Sequence, residues 1–273
     1  RATERRLTMA IIKKRTIFIS VVSEKGGVGK TTTSFNLGCA LSKLGKNVLI
    51  VDLDKQCNIS NTCGYLPDGS NTIADLIYNA VMKRPINITQ TIKNADCGID
   101  YIPSSEMLDA INSQLASDMD SPFVLKRIFD TEEISKYDFV IFDNKTAIDI
   151  LTQNSLNLSD YIILPVESGQ YSFDGIDKII NKVKSLNATT NPQLKIMGIL
   201  YNKSEKRTII GREVANATEQ IYDKLLFNTQ IPYRKSQVEN AITEQTGCVN
   251  LKRNTLSEIY LNLAQEVIER SRK

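Results

Sequence analysis

The sequence predicts an α/β fold: a doubly wound, mostly parallel twisted sheet with helices on both faces. Three observations predict it. Strand-like and helix-like segments alternate along nearly the whole chain. The strand-like runs are continuously apolar rather than alternating, which suits strands covered on both sides. A glycine-rich turn then joins the first such run to the first helix-like stretch, the arrangement found where a strand feeds a ligand-binding helix N-terminus.

The elements follow in order. Strands are expected at 16–23 (TIFISVVS), 47–54 (NVLIVDLD), 98–103 (GIDYIP), 137–143 (YDFVIFD), 160–166 (DYIILPV), 194–202 (LKIMGILYN) and 225–231 (LLFNTQI). The stretch TTTSFNLGCALSKLG after the glycine-rich turn reads as a helix. In FDGIDKIINKVKSLN, at 173–187, Ile176, Ile179, Ile180 and Val183 fall on one helical face. Near the end of the chain Leu256, Ile259, Tyr260, Leu263, Val267 and Ile268 do the same. The opposite face there carries Glu258, Glu266 and Glu269, so this helix is expected to dock on the core rather than lie on a membrane, which would want a basic polar face. Residues 1–15 hold six basic residues against one acidic and read as a basic N-terminal extension; 16–273 read as a single domain.

Composition narrows the function. The formal charge of +3 is too small to announce a nucleic-acid partner by itself. No apolar run reaches the length of a membrane span and no secretory pattern precedes the first strand, so a cytoplasmic protein is expected. The absence of histidine rules out imidazole base chemistry and histidine metal sites. Cys39, Cys57, Cys63, Cys97 and Cys248 are odd in number and lack a C-x-x-C pair, which fits reduced thiols or small buried hydrophobes.

Residues 24–33 read EKGGVGKTTT. Gly26, Gly27 and Gly29 lack a Cβ, so the backbone around Val28 can turn several N–H groups inward on a phosphate. Lys30 supplies charge for the β and γ phosphates, Thr31 a hydroxyl for Mg²⁺, and Thr32 continues the helix start. Glu24 stands where the strict pattern wants glycine, and a second lysine, Lys25, precedes the glycines. Asp52 and Asp54 close the second strand, where one carboxylate can order an attacking water and the other can stay near the metal shell. Asp143 ends the buried run YDFVIFD, the placement of a carboxylate that holds Mg²⁺ or its water. Asn202, at a later strand end, is a candidate for an adenine edge through its side-chain amide, with a turn residue as the competing reading; Pro232 by itself reads as a strand stop.

The two-lysine loop KGGVGKTT resembles the deviant Walker A loop of the ParA and MinD family of ATPases, and the likeness extends over residues 16–270. The resemblance implies ATP with Mg²⁺ as cofactors, Lys25, Lys30 and Asp54 as catalytic residues, Thr31, Asp54 and Asp143 around the metal, and Pro232 beside the purine ring. It also implies a homodimer in which Lys25 reaches the ATP of the other subunit. For the partition branch it further implies a nucleoid-associated protein binding nonspecific double-stranded DNA through basic residues of the C-terminal third, with a ParB-type centromere-binding partner. Here those residues are Lys203, Lys206, Arg207, Arg212, Arg234, Lys235, Lys252 and Arg253. The chain departs from the family pattern at Lys55, where proline is usual, and at Asn144, Lys145 and Thr146, where Thr or Cys and two prolines are usual. Two other readings stay open: a MinD-like membrane-cycling ATPase, and a nucleotide-gated binding module with weak hydrolysis.

Overall fold

The computed structural model describes residues 15–116, 121–146, 148–167, 172–202 and 221–272, without the side chains of residues 172–174 and 223. Its elements are β1 (Ile17–Val21), α1 (Lys30–Lys43), β2 (Val48–Leu53), α2 (Asn58–Thr62), α3 (Ile73–Val81), β3 (Lys93–Asn94), β4 (Asp100–Ile102), α4 (Leu108–Leu115), α5 (Val124–Phe129), β5 (Phe139–Asn144), α6 (Ile150–Leu158), β6 (Tyr161–Glu167), α7 (Ser172–Thr189), β7 (Lys195–Asn202), α8 (Lys235–Thr243) and α9 (Leu256–Arg270).

The sheet runs β3-β4-β2-β5-β1-β6-β7. Every pairing is parallel except that of β3 with β4. The chain leaves β1 for β2 and only later lays β5 between them, which opens a crevice at the carboxyl ends of these three strands. Parallel strands need covered faces, and the sequence provides them. One face packs α1 and α9 around Leu37, Leu41, Ile50, Tyr260 and Leu263. The other packs α3 and α5 around Leu49, Leu76, Ile128 and Phe142. A third cluster, with Ile162, Ile176 and Ile179, lies under α7.

One expected strand needs revision and one strand was not expected. The run at 225–231 is not a strand: it meets β7 through a single bridge, Ile199 with Leu226, and hydrogen bonds from Phe227 N to Ile199 O and Ile231 N to Tyr201 O. Between those points Asn228 N and Thr229 N turn to the Glu266 carboxylate of α9 instead, at 2.9 and 3.2 Å. A side chain has taken the place of a ladder partner. The short antiparallel β3 was not foreseen, since two residues carry no readable period.

The C-terminal helix docks as expected, burying Leu256, Tyr260, Leu263, Val267 and Ile268, with Ile259 at the margin. Arg270 anchors its end, donating to Met197 O at 2.7 Å and to Leu226 O, with the guanidinium carbon 4.4 Å from the centre of the Phe227 ring. All five cysteines are free thiols. Cys39, Cys97 and Cys248 lie in the same core cluster and Cys63 packs against it, so they serve as small apolar groups. Among the described residues, no helix is long and apolar enough to cross a membrane.

Candidate nucleotide-binding site

The loop between β1 and α1 is shaped by backbone. Gly27 and Gly29 take φ of 78° and 87°, left-handed values that L side chains resist. A Cβ on Gly29 would also sit 2.3 Å from the Asn202 amide nitrogen. Val28, 2% exposed, pins the loop to the protein between these glycines. The helix begins at Lys30, so its first N–H groups and positive dipole end face the loop. The same amide of Asn202 donates to Val28 O at 2.9 Å, Gly29 O at 3.3 Å and the Thr33 hydroxyl at 3.2 Å. Asn202 therefore braces the cradle from β7, and the donor that sequence reasoning offered to a base is engaged with the loop.

Lys30 is 8% exposed, and its ammonium donates to the Thr146 hydroxyl at 3.1 Å. Burial lowers its pKa, opposed by the charges of Asp143 and Asp54. Asp143 is fully buried at the end of β5. Its Oδ1 accepts from Ser34 at 2.8 Å, while its Oδ2 has no hydrogen-bond partner. Burial first, then the Asp52 carboxylate, push its pKa up to about 7, against the pull of Ser34, Thr31 and Lys30. A buried carboxylate oxygen without a donor, beside the Thr31 hydroxyl and a neighbouring acid, is a donor set of hard oxygens that fits a divalent cation such as Mg²⁺.

Asp52 and Asp54 end side by side but in different environments. Asp52 stands opposite Asp143 in the β2–β5 register and is fully buried. Its Oδ2 accepts from Ser60 N at 3.0 Å and Ser60 Oγ at 2.7 Å, and its Oδ1 from Asp54 N at 3.2 Å. Burial raises its pKa to about 6 in spite of these bonds. Asp52 is thus spent on tying α2 to the sheet. Asp54 is half-buried, and its Oδ1 accepts from Gln56 N at 3.0 Å in an Asx turn, which leaves the carboxylate facing the crevice rim.

The loops after β2 and β5 are joined by charge. Asp109, on α4, accepts from Lys55 at 2.5 Å and lies 3.8 Å from Lys145. Lys145 pairs with Asp149 at 2.5 Å, and Asp149 also caps α6 through Thr152 N at 3.0 Å and accepts from Asn112 at 2.5 Å. Asn144 is buried, and its amide reaches Val21 O at 3.3 Å and Phe142 O at 3.2 Å. Its carbonyl oxygen accepts from Ser155 at 2.6 Å. Lys25 is exposed and pairs with Glu167 at the end of β6, at 3.1 Å.

A cavity of about 200 Å³ lies on the other side of the cradle, lined by Gly29, Thr32, Asn202, Pro232, Tyr233 and Tyr260 among others. It brings the two base candidates to one place beside the loop. A larger concavity of about 990 Å³ sits between α2, α3 and α4 rather than over the cradle, so size does not mark the nucleotide site. Sequence reasoning missed Ser34, Asp109 and Tyr233, and reads Glu167 as scaffold rather than as part of the site. Only Ser34 carried a sequence sign, since position i+4 from Lys30 shares its helix face. Of the basic candidates, Arg234, Lys235, Lys252 and Arg253 are exposed, with Lys235 paired to Glu239 at 3.4 Å. Lys203, Lys206, Arg207, Arg212 and residues 1–14 lie outside the described residues.

A doubly wound sheet whose first strand feeds a glycine cradle, with a lysine and two buried acids at neighbouring strand ends, defines a P-loop nucleoside triphosphatase. Comparison with known proteins carries this further. Residues 16–196 match the family model of the AAA domain. The chain is 30% identical over 250 residues to the sporulation initiation inhibitor protein Soj of Bacillus subtilis, covering 91% of this chain and 97% of that one. It is 32% identical over 211 residues to the chromosome-partitioning ATPase Soj of Treponema pallidum, covering 77% and 81%. Among solved structures, a cobyrinic acid a,c-diamide synthase from Mycobacterium smegmatis, with bound ATP analogue and magnesium, superposes with a TM-score of 0.73 at 27% identity, covering 84% and 92%. The chain belongs to the ParA and MinD family of P-loop ATPases.

Proposed function

We propose that this chain is a ParA-type DNA partition ATPase: a protein that closes into a homodimer on Mg²⁺ and ATP, binds nonspecific DNA in that state, and is released by partner-stimulated hydrolysis. The observation that carries the reading is the cradle itself, with Lys30 buried inside it and the donor-free Oδ2 of Asp143 facing the same crevice. Supporting it are relatives of matching length, one of them a chromosome-partitioning ATPase. Gly26 through Thr32 would hold the phosphates, Thr31 and Asp143 with Asp54 the metal shell, and Pro232 with Asn202 the base end. Mg²⁺ would supply charge for the phosphate oxygens; the protein's share is to position and to exclude water. Asp54, half-buried at the rim, orients the attacking water. Lys25 trades an exposed pair with Glu167, cheap to break, for the nucleotide of the partner subunit.

The DNA surface in this reading is built from the basic residues of the C-terminal third. Exposed Arg234, Lys235, Lys252 and Arg253, doubled by the dimer, can neutralise several phosphates without reading sequence. Such a protein would work in the cytoplasm on the nucleoid, with a ParB-type centromere-binding protein as its hydrolysis partner. Sedimentation with DNA and, in parallel, with anionic liposomes, each in ATP and in ADP, tests this. The reading expects DNA to carry the protein down in ATP alone, with a steep loss between 50 and about 200 mM salt; liposome binding in ATP without DNA binding would turn the assignment to the membrane-cycling branch.

A further inference from the structure

Thr146 lies two residues beyond the described end of β5, and its hydroxyl does two things. It accepts the Lys30 ammonium at 3.1 Å, and it overhangs the cradle, 3.9 Å from where a Cβ on Gly26 would be. An ammonium has three N–H donors, so Lys30 can keep this bond while it serves phosphate oxygens. A hydroxyl has one proton and two lone pairs; with a lone pair given to Lys30, its proton must point elsewhere. The nearest acceptor that the cradle is built to hold is a phosphate oxygen. Lys30 spans the β and γ groups. The β group belongs to the nest and helix start, whereas Thr146 approaches from the β5 side, the side of Asp143.

Thr146 is also held in place. Lys145, its neighbour, is 23% exposed and pairs with Asp149 at 2.5 Å, and Asp149 is fixed in turn by Asn112 and by capping α6. Asn144, on the other side, is buried and bonded to β1, β5 and α6. The hydroxyl therefore sits on a short segment anchored on its N-terminal side by two residues with engaged side chains, which limits the ordering cost of using it.

We propose that the Thr146 hydroxyl donates a hydrogen bond to the γ-phosphate of bound nucleotide, so that this residue helps the site tell ATP from ADP. The proposal rests on the nucleotide-binding reading above. Its test is calorimetric binding of ADP and of a nonhydrolysable ATP analogue, both with Mg²⁺, to the wild type, Thr146→Val and Thr146→Ser. Valine keeps the shape and removes the hydroxyl; serine keeps the hydroxyl. The expected result is analogue affinity weakened about tenfold by valine and restored by serine, with ADP affinity within about twofold throughout. Equal loss for both nucleotides, or no loss for either, overturns the γ-phosphate contact while leaving the nucleotide-binding reading intact. A wild type that binds neither nucleotide overturns that reading and this assignment with it. Matching melting curves of the three proteins establish that the comparison is of sites and not of folding.

Discussion

The cradle after β1 and the loops after β2 and β5 lie against each other, yet they are held by different forces. The cradle is set by two left-handed glycines, the buried Val28 and the amide of Asn202, none of which depends on solvent. The loop after β2 is tied to α4 by an exposed ion pair of Lys55 with Asp109, whose side chain is 48% exposed, and Lys145 after β5 reaches the same carboxylate at 3.8 Å in addition to its closer pair with Asp149. Bonds of the first kind keep one shape; pairs of the second kind exchange readily with water, salt or another charge. The difference places rigidity in the cradle and leaves adjustability in the loop after β2.

Removing the charge inside the rigid part should give the largest effect on binding. Lys30→Ala deletes the buried ammonium, and ATP affinity should fall about tenfold to a hundredfold, since hydrogen bonds to charged groups are worth about 1.5–3 kcal/mol. Affinity within twofold of the wild type, read by calorimetry, would remove Lys30 from the site. A smaller and different effect is expected in the adjustable part. Asp109→Asn should barely move the melting temperature, while amide exchange at 54–58 speeds up at low salt to the rate that the wild type reaches only at high salt. Exchange that ignores both the substitution and salt would mean that the loop after β2 is held by something other than this pair.

Smallest is a pH effect on stability in the absence of nucleotide and metal. Asp143 titrates near 7 in the folded chain against 3.8 in its ordinary state, so the folded state holds its proton more tightly. Its contribution to stability is complete below about pH 4 and is lost as pH rises through about 7. Asp143→Asn should therefore melt higher relative to the wild type at pH 8 than at pH 5, and Mg²⁺ should narrow that gap by stabilising the wild type alone. A gap that is the same at both pH values would mean that the carboxylate is not perturbed.

Much of this was legible in the sequence because it was local. The glycines, Lys30 and Thr31 are contiguous, and the apolar runs that end in Asp52, Asp54 and Asp143 mark strand ends directly. What could not be read depends on strand order. Asp52 faces Asp143 only because β5 is inserted between β1 and β2, and that placement buries both acids and adds the Asp52 charge to the burial that raises the pKa of Asp143. The bracing of the cradle by Asn202 spans 173 residues of chain, and Asp109 reaches both Lys55 and Lys145 from a helix with no motif of its own. The segment at 225–231 had strand composition, but Glu266 on a distant helix captured its N–H groups. Composition is blind to such competition.

The central claim is that this crevice hydrolyses ATP to reset a DNA-bound state, with Asp54 placing the water. Its most direct test is Asp54→Ala, measured for ATP affinity, ATP-dependent DNA association and turnover in the same preparation. The account predicts affinity and DNA association close to wild type with turnover reduced about a hundredfold or more. Turnover at the wild-type rate would contradict it.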